Sequence, residues 1–277
     1  MAIDRRIISL GIAINDELRW YGGLDTPLFI EAKGRNFANP TEGDCDITVL
    51  GVSRNVRDYI LRNTRPLVTG ADRISVVLEV GRESYGTHTR YQGDVYRSEM
   101  IGKPDTGLRL ICKTGYYNKR SLITRSGTDL TKLSDIAKWV ADDCGYGLSF
   151  EIEDRNIRSY SFTGSAQSQL SQFEDLANAD VYVVSCVMYV KEPGQQARGL
   201  PVRRANVSNG LLEAIPIESG VKLKMLYDPV TTIGTRIDLE TELNPAINGP
   251  YVVYRTDYHV ANRADPFYLN AECNPLR

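Results

Sequence analysis

The chain has 277 residues with 42% hydrophobic and 25% charged composition, enough to bury a substantial core in one large domain or two closely packed ones. A formal charge of -2 and a pI near 5.8 argue against a protein whose main task is to grip duplex DNA, which needs many Lys and Arg on one face. The amino terminus MAIDRRIISLGIAIND lacks the apolar core and small-residue cleavage site of a signal peptide, and no run approaches the roughly 18 apolar residues of a membrane span, so a soluble, unexported protein is expected.

In chain order, the first elements read as strands: Arg6 to Ile14, Leu28 to Phe37 after a Gly22-Gly23 turn, and Cys45 to Val52, bounded by turns at Asn39-Pro40 and Glu42-Gly43-Asp44. A short helix follows, with Ser53 as N-cap, Val56 and Ile60 on one side, Arg54 and Asp58 paired outside, and Pro66 as its stop. Ile74, Val76, Leu78 and Val80 alternate along the strand Arg73 to Glu83. In Thr89 to Ser98, Tyr91, Gly93 and Val95 alternate with Gln92, Asp94 and Tyr96, and Leu108 to Lys113 follows Pro104-Asp105, giving a meander around a barrel or sandwich.

From about Ser121 to Pro193 the period changes. Leu133, Ile136, Ala137, Val140, Ala141 and Cys144 mark one face of a helix ended by Gly145, followed by strands at Leu148 to Glu153 and Ser159 to Thr163. Ser165 caps a second helix with Leu170, Phe173, Leu176 and Ala177 inward, and Val181 to Val190 is either one bent strand or a hairpin. The two helix-strand units could be a loose duplication or a chance likeness. After the linker KEPGQQARGLP, strands return at Leu211 to Ile217, Val221 to Leu226, Thr235 to Glu242, Tyr251 to Val260 and Phe267 to Cys273, separated by Glu218-Ser219-Gly220, Asp228-Pro229, Asn244-Pro245, Asn248-Gly249-Pro250 and Asp265-Pro266. The expected fold class is α+β, mainly β: antiparallel barrel or sandwich domains with a small inserted α+β domain. Residues 1–118 form a β-rich domain, 119–193 the insertion with two helices, and 194–277 the β-rich segment that completes the β part.

Chemistry-bearing patterns are sparse. Cys45, Cys112, Cys144, Cys186 and Cys273 are an odd set without a CxxC pair, and Cys112 and Cys186 sit in apolar runs, so reduced, core-facing thiols are expected and neither a disulfide framework nor a zinc site. The chain has two histidines. His259 with Asp257, and Ser208 or Ser219 as nucleophile, would be a triad without a GxSxG elbow. Asp142-Asp143, Glu151 with Glu153, and Glu240 with Glu242 are carboxylate pairs that a glycosidase could use and that solvated faces also carry. Gly81, Gly86 and Gly93 are too far apart for a phosphate loop. TRYQGDVYR, the nearest candidate for single-strand binding, reads better as a hairpin with edge tyrosines, and Arg5-Arg6 and Arg203-Arg204 as solvated surface. Sixteen Tyr against six Phe fits either β-sheet rims or surfaces buried on assembly. No catalytic, cofactor-binding or metal-ligating residue is therefore assigned, and no cofactor.

Three blocks carry a resemblance: ISVVLEVGRESYGTHTRYQGDVYRSEMIGKPDTGLRLICKTG, then LSDIAKWVADDCGYGLSFEI with YSFTGSAQSQLSQFEDLANADVYVV, then GLLEAIPIESGVKLKMLYDPVTTIGTRIDL with a closing YVVYRTDYH. In order and spacing they resemble baseplate hub proteins of contractile-tailed bacteriophages, the late control protein D-like family. The resemblance implies a duplicated tail-tube fold, a non-enzymatic virion protein made in the host cytoplasm, and a homotrimeric ring that mimics six-fold symmetry. Its implied partners are the tail tube protein, the central spike and other baseplate subunits. Genomic DNA would pass the lumen without specific binding, and no membrane insertion is implied. The chain is shorter than the larger hubs, which bears on the size of the second tube-like part. A cell-wall-degrading tail-tip enzyme and a carbohydrate-binding module are the alternatives.

Overall fold

The computed structural model describes residues 4–14, 17–24, 28–38, 43–64, 73–116 and 122–277. The expected turn at Asn39-Pro40, Glu42 and the helix stop at Pro66 lie outside the described residues. In chain order the elements are β1 (Arg6–Ile14), β2 (Glu17–Gly22), β3 (Phe29–Phe37), β4 (Asp44–Leu50), α1 (Arg54–Asn63), β5 (Ser75–Arg82), β6 (Gly86–Ile101) and β7 (Gly107–Lys113). Then come β8 (Leu122–Ser126), β9 (Leu130–Lys132), α2 (Leu133–Cys144), β10 (Gly147–Glu151), β11 (Asn156–Arg158), β12 (Ser161–Ser165), α3 (Ala166–Ala177), β13 (Asp180–Val184) and β14 (Val187–Lys191). The last are β15 (Val202–Ala205), β16 (Leu211–Ile217), β17 (Gly220–Leu226), β18 (Arg236–Leu239), β19 (Gly249–Ala261) and β20 (Phe267–Pro275).

A 13-stranded sheet runs β16-β17-β20-β19-β3-β4-β7-β6-β5-β1-β2, with β18 beside the first half of β19 and β15 beside β18. Apart from the parallel β15–β18 pair its ladders are antiparallel, and the β19–β3 ladder joins the amino-terminal strands to the carboxy-terminal ones. Period-two alternation sends Ile8, Leu10 and Ile12 of β1, Val76, Leu78 and Val80 of β5, Ile47 and Val49 of β4, Leu108 and Leu110 of β7, and Leu223, Leu269 and Val260 further along into one core. Val56 and Ile60 of α1 join that core, and Arg54 pairs with Asp58 at 3.6 Å as the spacing predicts. Ser53 is the N-cap residue but makes no side-chain cap bond.

Where the chain crosses itself closely, a missing side chain decides the packing. A Cβ on Gly34 would stand 2.2 Å from the hydroxyl of Tyr258, its partner on β19, which donates a hydrogen bond to Cys45 Sγ at 3.2 Å. Gly34→Ala is expected to cost about 1–3 kcal/mol, read as a shift in the denaturant midpoint at constant slope, because a fully packed ring cannot retreat.

Residues from 133 to 190 build a second, separate core. Its helix α2 buries Leu133, Ile136, Ala137, Val140, Ala141 and Cys144 and ends on Gly145 in the left-handed region at φ 72°. Ser165 caps α3 by accepting from the Ser168 amide, and Leu170, Phe173 and Ala177 are buried while Leu176 is only partly so. The run Val181 to Val190 is a hairpin, β13–β14, to which β10 adds in parallel. Glu174 of α3 is pushed up to about 7 by burial and by its neighbours Asp175 and Asp180. The folded state then holds a proton that the unfolded chain releases near pH 4.5, so this group's contribution to stability falls as pH rises from about 4.5 to 7. Glu174→Gln should remove that slope and raise stability at pH 8 by up to about 1 kcal/mol after solvent screening, with little change at pH 4 in thermal melts.

Several sequence expectations change in three dimensions. Asp94, expected to face outward opposite Tyr91 and Val95, is fully buried and receives Arg73 Nε at 2.7 Å. Arg203 is not solvated surface: it donates to the Asn209 carbonyl at 2.6 Å and pairs with Asp228 at 3.3 Å. Arg6 donates to the Ala264 carbonyl at 2.6 Å and lies over the Phe267 ring at 5.1 Å, whereas Arg5 and Arg204 are exposed. Cys186 occupies the β13–β14 turn with φ 60° and is half-buried, unlike the buried thiols of Cys45, Cys112, Cys144 and Cys273.

Candidate functional site

The side of the large sheet turned away from its core is charged and regular. Alternation places Glu31, Lys33 and Arg35 of β3 there, beside Asp44 and Asp46 of β4, Arg109 and Lys113 of β7, Arg97 and Glu99 of β6, Arg255, Asp257 and His259 of β19, Glu272 of β20, and Lys222 and Lys224 of β17. Cross-strand register, and i, i+2 spacing along single strands, bring opposite signs together. Lys222 meets Glu272 at 3.3 Å, Arg255 meets Asp257 at 3.2 Å and Glu272 at 3.7 Å, and Arg35 meets Asp44 at 2.8 Å. Arg109 pairs with Asp46 and lies 3.6 Å from Glu99, which Arg97 also reaches. Lys113 and Lys224 lie over the rings of Tyr96 and Tyr268 at 5.1 and 4.8 Å.

Such pairs are worth about 0.2–1 kcal/mol each on an exposed sheet, so stability does not explain their extent. Their larger effect is on the potential of the face: six acids, Glu31, Asp44, Asp46, Glu99, Asp257 and Glu272, take up the charge of six bases, Lys33, Arg35, Arg97, Arg109, Lys222 and Arg255. A polyanion moving over this surface finds few uncommitted cations, and little counterion release would reward its binding.

His259 belongs to this face and not to a triad. Its Nε2 sits 2.6 Å from Glu31 Oε1 and its Nδ1 3.2 Å from the Tyr268 hydroxyl, while Asp257 pairs with Arg255 and Ser219 bonds the Tyr254 hydroxyl. Burial opposes ionisation of Glu31, but hydrogen bonds from His259 and Lys33 and the charge of Lys33 outweigh it and hold the carboxyl below its ordinary value. Of the sequence-derived carboxylate pairs, Glu151 and Glu153 do not converge. Glu151 accepts from Ser149 Oγ at 2.7 Å and from the Arg198 amide at 2.9 Å, Glu153 is exposed, and Asp143 pairs with Arg125. Ser208, Glu240 and Glu242 line a shallow surface hollow with Asn206 and Asn248.

Among the described residues the main path of the sheet ends at two strands with one neighbour each, β2 and β16, while β15 beside β18 is a third. On β2, Leu18 and Trp20 are 45% and 48% exposed and lie over Gly11 of β1. On β16, Leu212 and Ile215 are 53% and 44% exposed, a bulge separates Leu211 from Glu213, and Pro216 stands where proline is tolerated, on an edge. Exposed apolar edge strands are uncommon in proteins that remain monomeric, because unpaired backbone groups beside apolar side chains recruit further strands.

Neither feature was assigned from the sequence. The stretches KGR, DCD and YRTDYH do show charges alternating with core residues, but which acid meets which base depends on the register of strands as distant as β3 and β19. Strand β2 was passed over because, with only Tyr21 packed against the core, it has no apolar alternation to detect.

Comparison with known proteins adds to this geometry. A search of curated protein sequences gives no match. Among solved structures, the 43 kDa tail protein of prophage MuSo2 from Shewanella oneidensis superposes with a TM-score of 0.65 at 6% identity, covering 98% of each chain. A tail protein from Neisseria meningitidis MC58 gives 0.63 at 7% identity over 96% of each chain. The E. coli c3393 protein, a component of the type VI secretion system described as similar to the T4 tail proteins gp27 and gp5, gives 0.61 at 10% identity, over 92% of this chain and 76% of that one. At these identities the likeness is one of fold, a mainly antiparallel β architecture shared with phage tail proteins. The family model for baseplate hub gp41 matches residues 7–273, nearly the whole length, and the chain therefore belongs to the baseplate hub gp41 family.

Proposed function

We propose that the chain is a structural subunit of the virion, one of three copies that close into a hub ring in the baseplate of a contractile phage tail, joining the tail tube to the central spike. In this reading the ion-paired face of the large sheet lines the axial bore, where genomic DNA slides past without specific binding, and the β2 and β16 ends meet neighbouring copies. The observation that carries it is the pairing of two features on one sheet: a broad self-neutralised face and two exposed apolar edges. A ring is the arrangement in which head-to-tail copies leave neither edge uncovered. Residues 119–193 act as an inserted domain between the β-rich segments 1–118 and 194–277, a division supported by the separate core of residues 133 to 190.

Size-exclusion chromatography with light scattering, followed by imaging of the particles, tests this. Three copies around an axial hole are expected. A protein that stays monomeric at high micromolar concentration and fails to associate with tube or spike subunits would overturn the reading.

A further inference from the structure

The sheet β10-β14-β13 has two sides of different character. Val181, Met188 and Val190 turn toward the helices and belong to the second core, whereas Tyr182, Tyr189 and Lys191 turn the other way, toward the β-body built on the large sheet. Tyr182 is 0% exposed and belongs to neither core. Its ring is stacked on Tyr189 at 5.4 Å, and Lys191, itself buried and bonded to Asp180 at 3.1 Å, stands 6.0 Å from it.

The ring is seated against Gly234 of the β-body. A Cβ on Gly234 would stand 2.3 Å from the Tyr182 hydroxyl and 2.9 Å from the Cβ of buried Ala197, and the φ of 82° also favours glycine. This backbone is anchored. The Gly234 amide donates to the carbonyl of Val253, a residue of the main core, at 2.9 Å, and its carbonyl accepts from the Ala197 amide at 3.0 Å. Fully buried Thr235 braces the loop by accepting from the Thr232 amide and donating to the Val230 carbonyl. From the second unit, Glu151 of β10 accepts from the Arg198 amide at 2.9 Å, so the linker is tied on both sides. The Tyr182 hydroxyl has no partner among the described residues, so shape and not hydrogen bonding seats the ring.

Elsewhere the two units part around a cleft of about 190 Å³, between β6 from His88 to Gln92 and the β13–β14 turn. Units that meet without a large apolar interface move against one another by default, and a bulky ring packed against a backbone that cannot retreat removes that freedom. We infer that Tyr182 and Gly234 form a fixed joint, which sets the angle at which the unit of residues 133 to 190 is carried on the β-body and keeps it from swinging on its linkers. The joint is independent of ring assembly. It fixes position only, so the two cores still melt separately.

Trypsin cleavage of the full chain after Arg198, an exposed linker residue next to buried Ala197, reports opening of the joint, with amide exchange in α2 and β5 as the control for intact cores. Gly234→Ala and Tyr182→Ala should each be cut at least about tenfold faster than the unaltered chain, because cleavage tracks the population of the open form, with α2 and β5 unchanged. Tyr182→Phe should stay within about twofold, since the ring keeps its shape and the hydroxyl has no bond to lose. In the double variant the methyl at position 234 should add less than it adds to the unaltered chain, because the ring it meets is gone. Should Gly234→Ala fail to fold, Tyr182→Ala against Tyr182→Phe decides alone. Cleavage unchanged by both alanine variants, equal opening by Tyr182→Phe and Tyr182→Ala, or independent effects in the double variant would each overturn the joint.

Discussion

If the chain closes into the proposed ring, Trp20→Lys is expected to leave folded monomers in its place. Trp20 lies on the terminal strand β2, about half exposed, with its ring against Gly11 and outside the main core. An aromatic side chain buries about 150–250 Å² when fully covered, so covering the exposed half of this one is worth roughly 2–3 kcal/mol at about 25 cal/mol per Å², once per interface. Lysine at the same place forfeits that gain and puts a charge on the edge, the usual device by which sheets refuse a further strand. The subunit should lose little of its own stability, about 0.5 kcal/mol or less apart from the contact with Gly11. Light scattering reports the mass and a thermal melt the intact fold. A variant that remains trimeric would remove β2 from the interface, and Ile215→Lys on β16 makes the same test at the opposite edge.

Phe173→Ala should be the most damaging single truncation in the second core, costing about 3–5 kcal/mol. Phe173 is 1% exposed and packs in a cluster that takes side chains from α2, α3 and the β10-β14-β13 sheet. The main core draws on none of these residues. Loss should therefore be local: amide exchange rises between residues 133 and 190, while the strands of the large sheet keep their protection and a second, later melting transition. Simultaneous loss of protection in β1, β5 and β7 would show instead that the two cores unfold as one, against the division at 119–193.

The contrast between α2 and β2 shows what kind of information the sequence holds. All six inward positions of α2 were legible because a helix repeats its buried side every three to four residues, and Gly145 marks the end where only a left-handed conformation continues the chain. Strands with one face in the core, such as β5 and β17, were legible for the same reason at period two. The strand β2 has no fully buried residue, and the burial of Asp94 depends on its neighbours in space, Arg73 among them, and not on its place in the alternation.

By itself, then, the sequence determined the periodic parts: which segments are strands or helices, which side chains point inward, and that a helical unit interrupts a β-rich chain. Tertiary structure alone decided the cross-strand pairs of the charged face, because Glu272 finds Arg255 and Lys222, and Glu31 finds His259, only through the register of strands far apart in the chain. It likewise decided which strands would be left at the edges and that Arg90 would be turned between Tyr227 and Tyr258. The physical reason is that periodicity reports whether a residue meets solvent or core, whereas ion pairing, edge exposure and cleft lining depend on which distant segment lies alongside, and local patterning does not encode that neighbour.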